Sequence, residues 1–415
     1  MGTGHNPTMP RPHQHDRHLV GWMSLTQLIS WGSVFYLFAL LMAPVEHELG
    51  MTRAQSSLAF SLAMLVEGLM AYPVGRWIDR GHERAVMTLG SMGLGTCLLL
   101  LSQVNTPALF YAVWMAMGAA MAATLYSPAF AVVTRRFPND FRRAIITLTF
   151  LGGLASTVFI PLTSWLMALL GWRHALWCLA ALHWLVCMPL HAALLRGAPV
   201  RSIRSMQPEN TSSHQASNQL AKHLLSAPFL LIGVFVVLMM AVTAALPAHM
   251  VSLLRENGLS ETWAIAIPAS IGAIQVLGRL LLYYFEHHFD LHRANRLIPG
   301  LIPLGLAALL VAPWAGQAQI YLLMLFVLFF GMGNGMLTIV KGTAVAEYVN
   351  RDHVASLNGA LGMPMALARA AAPLVLGLLW SRETGYAYGL WLMLGLSAVA
   401  IAALVMAQRA SATRR

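Results

Sequence analysis

A few charged residues stand where the chain is otherwise apolar, and charge in such surroundings needs a reason. Arg369 lies in a run of Ala, Pro and Leu. At 1.5 Å per helical residue it is about 22 Å from Val354, where that run begins. A charge at such depth is costly unless water, a counter-charge or cargo reaches it. Its guanidinium could fork around a carboxylate, which makes Arg369 a candidate anion anchor; pairing with Glu67 or a carbonyl is the structural alternative. Arg279, about 27 Å along its run from Glu261, could be a second anchor, reach the headgroups or pair with Glu286. Glu67 is about 18 Å into its run from Gln55. A carboxylate at that depth is a candidate proton carrier, or the neutraliser of an arginine.

Polar and aromatic residues recur beside these charges at helical spacing. One stripe holds Asn334, Thr338 and Lys341, and a second Asn358, Met365 and Arg369. A third holds Thr124 and Ser127 with Tyr126 adjacent, and a fourth Gln27 and Trp31, then Phe35 and Tyr36. Polar groups of this kind orient a ligand while aromatic faces contact its apolar part. Interhelical hydrogen bonding is the plainer role for any one of them.

The elements that must position these residues are membrane helices. The chain has 415 residues, 58% hydrophobic and 10% charged, against about 25% charged in soluble domains. Runs of about 20 apolar residues can cross a bilayer. Twelve such spans are predicted, near 19–44, 55–76, 85–104, 107–134, 144–170, 173–196, 228–253, 261–284, 294–313, 319–342, 354–380 and 386–408. The expected fold is an all-α membrane protein of twelve transmembrane helices in two pseudo-symmetric six-helix bundles. Its parts are an N-terminal tail (1–18), a first half (19–196), a polar linker (197–227), a second half (228–408) and a C-terminal tail (409–415). No short apolar region with a cleavage site precedes the first span, so no cleavable signal is expected.

With the N-terminus in the cytoplasm, Arg76, Arg80, Arg84, Arg135, Arg136, Arg142 and Arg143 fall on the cytoplasmic side. The opposite loops hold Arg53, Arg173, Arg255 and Arg382. That asymmetry follows the positive-inside rule and predicts a multi-pass protein of a bacterial-type inner membrane, both termini cytoplasmic. The halves echo each other. Asp140 to Pro161 and Asp352 to Pro373 share a spacing of 21, and Glu48–Thr52 matches Glu256–Ser260. Such repeats mark transporter folds.

Between the second and third spans runs Gly75-Arg-Trp-Ile-Asp-Arg-Gly-His-Glu-Arg84. It resembles the signature loop of the major facilitator superfamily, with Gly75, Asp79, Arg80 and Arg84 on matching positions. Gly81 comes one place early, and Glu83 stands where a basic residue is common. The resemblance covers nearly the whole chain and implies a cytoplasmic gate. Gly75 would permit close helix approach. Asp79 would face the helix starting near Val354, or pair with Arg135 or Arg136. A narrower resemblance joins Trp31-Gly32, Phe35-Tyr36, Pro44 and Glu48–Arg53 to monocarboxylate and oxalate–formate porters. There, basic residues of spans eight and eleven bind carboxylates, which implies that role for Arg279 and Arg369. The Gly-Pro motif of drug–proton antiporters is missing, because Ile160 precedes Pro161.

The resulting expectation is a monomeric secondary transporter for a small organic anion, such as a monocarboxylate, coupled to protons through Glu67. Its partners are the substrate and the bilayer, with no nucleic acid, cofactor or resident metal. A copper-type carrier is a rival, on Met117 and Met121, Met332 and Met336, and His249-Met250. Drug or metabolite efflux and a receptor or sensor are others, though no appended signalling domain is visible. No Walker loop or His-Glu-x-x-His motif points to an ATP-driven pump or an enzyme.

Overall fold

The computed structural model describes residues 14–137, 141–197, 222–285, 291–349 and 354–412. Most of the linker expected at 197–227 lies outside the described residues, as do Asp140, Glu286 and Asp352. Among the described residues, ten helical stretches are long and apolar enough to cross a membrane. Two of them, Arg53–Leu101 and Ala144–Leu194, hold 49 and 51 residues. At 1.5 Å per residue each would be about 75 Å long if straight, more than twice the hydrocarbon core.

Each long stretch reverses at one glycine with left-handed backbone, Gly81 (φ 88°) and Gly171 (φ 76°). A residue with a Cβ adopts that conformation only at a cost. Contacts at the ends show the first reversal. Arg53, where that stretch begins, pairs with Glu46 at 2.9 Å. Just past its end, the Ser102 carbonyl accepts from Arg173, which also pairs with Glu48. Both ends therefore lie at one surface. Two hairpins among ten stretches give the twelve crossings read from the sequence.

The crossings are α1 (His18–Leu49), α2 (Arg53–Trp77), α3 (Glu83–Leu101), α4 (Pro107–Arg136), α5 (141–170), α6 (172–194), α7 (Ala227–Glu256), α8 (Glu261–Phe285), α9 (Leu291–Val311), α10 (Gln319–Tyr348), α11 (Val354–Leu378) and α12 (Ala387–Ala412). Local chemistry sets their ends. Thr52 and Gln55 form a reciprocal capping box at the start of α2, which satisfies two orphan donors. Thr106 caps α4 ahead of Pro107, and Ser226 caps α7.

The two largest buried clusters mark the two halves. In α1–α6, Phe38 stacks on Phe60 at 4.6 Å and meets Trp114 edge-on at 5.3 Å. In α7–α12, Phe235, Phe326 and Phe330 anchor the counterpart. The same close crossing recurs in each half. A Cβ on Gly118 of α4 would stand 2.1 Å from the Ala63 carbonyl oxygen of α2. A Cβ on Gly335 of α10 would stand 2.3 Å from the Gln275 carbonyl oxygen of α8. The halves meet where α2 packs on α11, α5 on α8 and α1 on α7.

Two irregularities aim side chains into that seam. α1 carries a π-helical turn at Trp31–Phe35. α4 breaks at residues 123–125 before resuming at Tyr126. Pro128 has no N–H to offer the Thr124 carbonyl four residues earlier. Gln27 supplies that hydrogen bond instead, its Nε2 donating to the Thr124 oxygen at 2.7 Å.

Candidate functional site

The α2–α11 contact carries an ion pair between the halves. Gly68 of α2 lies against Ala366 of α11, where an added Cβ would be 3.0 Å away. That closeness brings Arg369 onto Glu67, the arginine donating to Oε2 of the carboxylate. The pair is not sealed: its side chains keep 24% and 12% of their surface accessible. Pro373 also removes the N–H that the Arg369 carbonyl would accept. Lys341 of α10 is half-buried and near enough to Arg369 for their positive charges to oppose each other. Among the described residues no carboxylate pairs with Lys341.

A second cluster sits where α8 crosses α5 and α10. Arg279 donates through Nε to the Gly335 carbonyl at 3.1 Å and through Nη1 to the Thr149 carbonyl at 2.5 Å. It joins the halves through backbone oxygens alone, so its charge has no carboxylate on it among the described residues. Tyr36 and Tyr126 lie within its field. Trp31 packs on Tyr126 at 4.8 Å and on Phe35 at 5.1 Å, and Tyr126 stacks on Phe130 at 5.2 Å. Tyr36, Ser156, Gln275 and Asn334 line a space of about 20 Å³ between the halves, enough for roughly one water. Ligand pockets are usually at least about 300 Å³, so the seam is contracted here.

The residues expected to bind cargo thus form two groups. Arg279, Trp31, Tyr36, Tyr126 and Asn334 gather at the α8 crossing, while Arg369 sits with Glu67. Asn358 is half-buried on α11. Gln27 is fully buried, its amide donating to the proline-freed carbonyl of Thr124 on α4. Met117 and Met121, offered as soft-metal ligands, are fully buried in the first core.

At the end marked by Arg53, the halves are bolted together. Arg53 reaches Glu46 in its own half and Glu256 in the other, the latter at 3.0 Å. It also donates to Tyr386 and lies 4.8 Å over the ring of Trp380. Trp380 in turn donates to Glu256 at 2.8 Å. Behind them His249 is fully buried. Its Nε2 meets the Pro373 carbonyl at 2.9 Å, which can only accept, so Nε2 carries the proton. Nδ1 then accepts from the Tyr386 hydroxyl at 3.0 Å. Ser57 of α2 lies 3.4 Å from the same ring.

At the opposite end, the expected gate residues hold the first half together instead. Glu83 is fully buried, with Arg136 at 2.5 Å and Arg135 at 3.8 Å. Arg135 donates to the Ile78 carbonyl at 2.6 Å, and Asp79 lies 3.7 Å from it. Arg84 donates to the Ala192 carbonyl at 2.7 Å. Among the described residues no ion pair joins the halves here, and nothing lies within 4 Å of a Cβ built on Gly75. The close helix approach expected at Gly75 is not seen among the described residues.

Sequence reasoning missed the Arg53 cluster, the burial of Glu83 and a polar ladder inside the first half. In that ladder His183 meets Ser33 at 2.8 Å, and His191 meets Ser91 at 2.8 Å and Thr26 at 3.1 Å. The spacing of His183, Cys187 and His191 along α6 is its sequence signal.

Two helical bundles, clasped together at one end by the Arg53 cluster and holding buried charge between them, define a multi-pass membrane protein. The model of the Major Facilitator Superfamily matches residues 23–314, and the chain belongs to that superfamily. No curated relative matches it by sequence. Among solved structures it is similar to the nucleoside transporter NupG, at 16% identity and a TM-score of 0.70, over 95% of this chain and 99% of that one. It is equally similar to a bacterial homologue of the human lysosomal transporter Spinster, inward-facing and unoccupied, at 16% identity and 0.70, over 97% and 98%. The occupied, inward-facing form of that homologue gives 14% and 0.67, over 97% and 96%.

Proposed function

We propose that this transporter carries a small organic anion, a monocarboxylate being the simplest, by alternating access across a bacterial-type inner membrane. The Glu83 end then faces the cytoplasm, in keeping with the positive-inside bias of its arginines. One observation carries the reading. Arg279, Lys341 and Arg369 lie within the second half, and among the described residues only one carboxylate, Glu67, pairs with any of them. That surplus of positive charge in a low-dielectric seam favours an anion.

Glu67 then couples cargo to protons. While ionised it occupies Arg369. Protonated, it releases the guanidinium, which takes the substrate carboxylate in its place. One proton and one anion enter together, and no net charge moves. Uptake of labelled carboxylates into proteoliposomes tests this. Flux should rise with an inward proton gradient and vanish in Arg369→Ala. Carboxylate flux undiminished in that variant would refute the anchor.

A neutral aromatic cargo is the second reading, favoured by the row Trp31, Phe35, Tyr126 and Phe130 and in keeping with the nucleoside carried by one structural neighbour. Nucleoside flux without carboxylate flux in the same vesicles would establish it.

A further inference from the structure

We propose that a groove on the outer face of the first half is a binding site for an anionic phospholipid. The groove opens between α2 and α3, which touch little along their length, and α4 forms its floor. Its volume is about 500 Å³. Ala119, Ala120 and Ala123 supply a floor of small residues, and Met70, Val74 and Leu89 supply apolar walls. Met70 and Leu89 each lie about 10 Å from the helix ends at the Gly81 turn, so the groove runs from headgroup level into one leaflet. Its apolar walls suit an acyl chain and not water. Trp77, half-exposed on its wall, has the amphipathic character of residues at that boundary.

The rim selects the headgroup. Arg80 and His82 line the mouth and are exposed. Neither makes a hydrogen bond or ion pair. Three neighbouring arginines are engaged: Arg84 by Ala192, Arg135 by Ile78, and Arg136 by Glu83. The adjacent carboxylate, Asp79, is beside Arg135 and not at the mouth. A phosphate group at Arg80 and His82 with its chain over the alanines would satisfy both parts of the site at once.

Native mass spectrometry of the full-length protein in mild detergent tests this, with phosphatidylglycerol and phosphatidylcholine of identical acyl chains supplied equally. The wild type should retain phosphatidylglycerol preferentially. The double variant Arg80→Gln/His82→Gln should lose that preference, and Ala120→Phe, which fills the floor, should lose retention of both lipids. Should Ala120→Phe fold poorly, Ala85→Leu on the exposed wall makes the same test. Equal retention of the two lipids by the wild type would overturn the proposal. So would undiminished preference in the double variant, or displacement of the lipid by excess inorganic phosphate, which would mark a free-anion site.

Discussion

Arg369 and Glu67 have interlocked roles, so each substitution should reveal the other. Glu67→Gln mimics the protonated carboxyl and leaves the guanidinium free. Carboxylate binding should then lose its dependence on pH, whereas the wild type binds more tightly as pH falls. A binding titration at several pH values reads the difference, and a wild-type slope retained in Glu67→Gln would reject proton coupling here. Glu83 should behave differently, because its two arginine partners are structural. Its replacement by Gln removes a fully buried charge from between two cations. The expected loss is about 3 kcal/mol of stability, visible as a lowered melting temperature without any ligand. The sequence shows that Arg369 is stranded, since depth follows from counting residues. It cannot show that Glu67 is the partner, because that depends on how α2 and α11 cross, 302 residues apart along the chain.

Helices make such crossings possible through small residues at chosen levels. Gly335→Ala would push a Cβ to 2.3 Å from a backbone oxygen of α8, and overpacking of that kind costs about 1–3 kcal/mol. Gly362→Ala on α11 meets nothing within 4 Å and should instead stabilise by up to about 1 kcal/mol through helix propensity. Thermal melts of the two variants should therefore move in opposite directions. The helices themselves were legible from hydropathy, and the count of twelve holds. Gly81 and Gly171 sit where the sequence breaks, and both prove to be the single-residue reversals. The partner of Gln27 was hidden by a rule that acts at a distance of four residues: Pro128 withholds a donor, and a neighbouring helix provides one. Periodicity alone predicts a regular stripe and misses such exchanges.

At the scale of the whole molecule, contacts at the Arg53 end join the two halves, whereas those around Glu83 brace the first half alone. Arg53→Gln should loosen the joined end and shift the population towards its opening. With native cysteines replaced, Ser57→Cys lies beneath that seal. Its labelling by a membrane-impermeant thiol reagent should accelerate in the Arg53→Gln background, and an unchanged rate would show that Arg53 does not hold the halves together. The two-bundle plan was visible in the repeated spacings and the loop resemblance. The clasp at Arg53 was not, because its pairing with Glu256 joins residues 203 apart along the chain and depends on how the halves pack.

The Arg53 cluster is open to solvent: Glu256 keeps 31% of its side-chain surface accessible, whereas Glu83 keeps none. Dissolved ions screen exposed charges over about 8 Å at physiological strength and over shorter distances as concentration rises. Salt in the medium bathing that end should therefore loosen the Arg53 clasp and leave the buried Glu83 bracing untouched, so brine favours separation of the halves there before any cargo arrives.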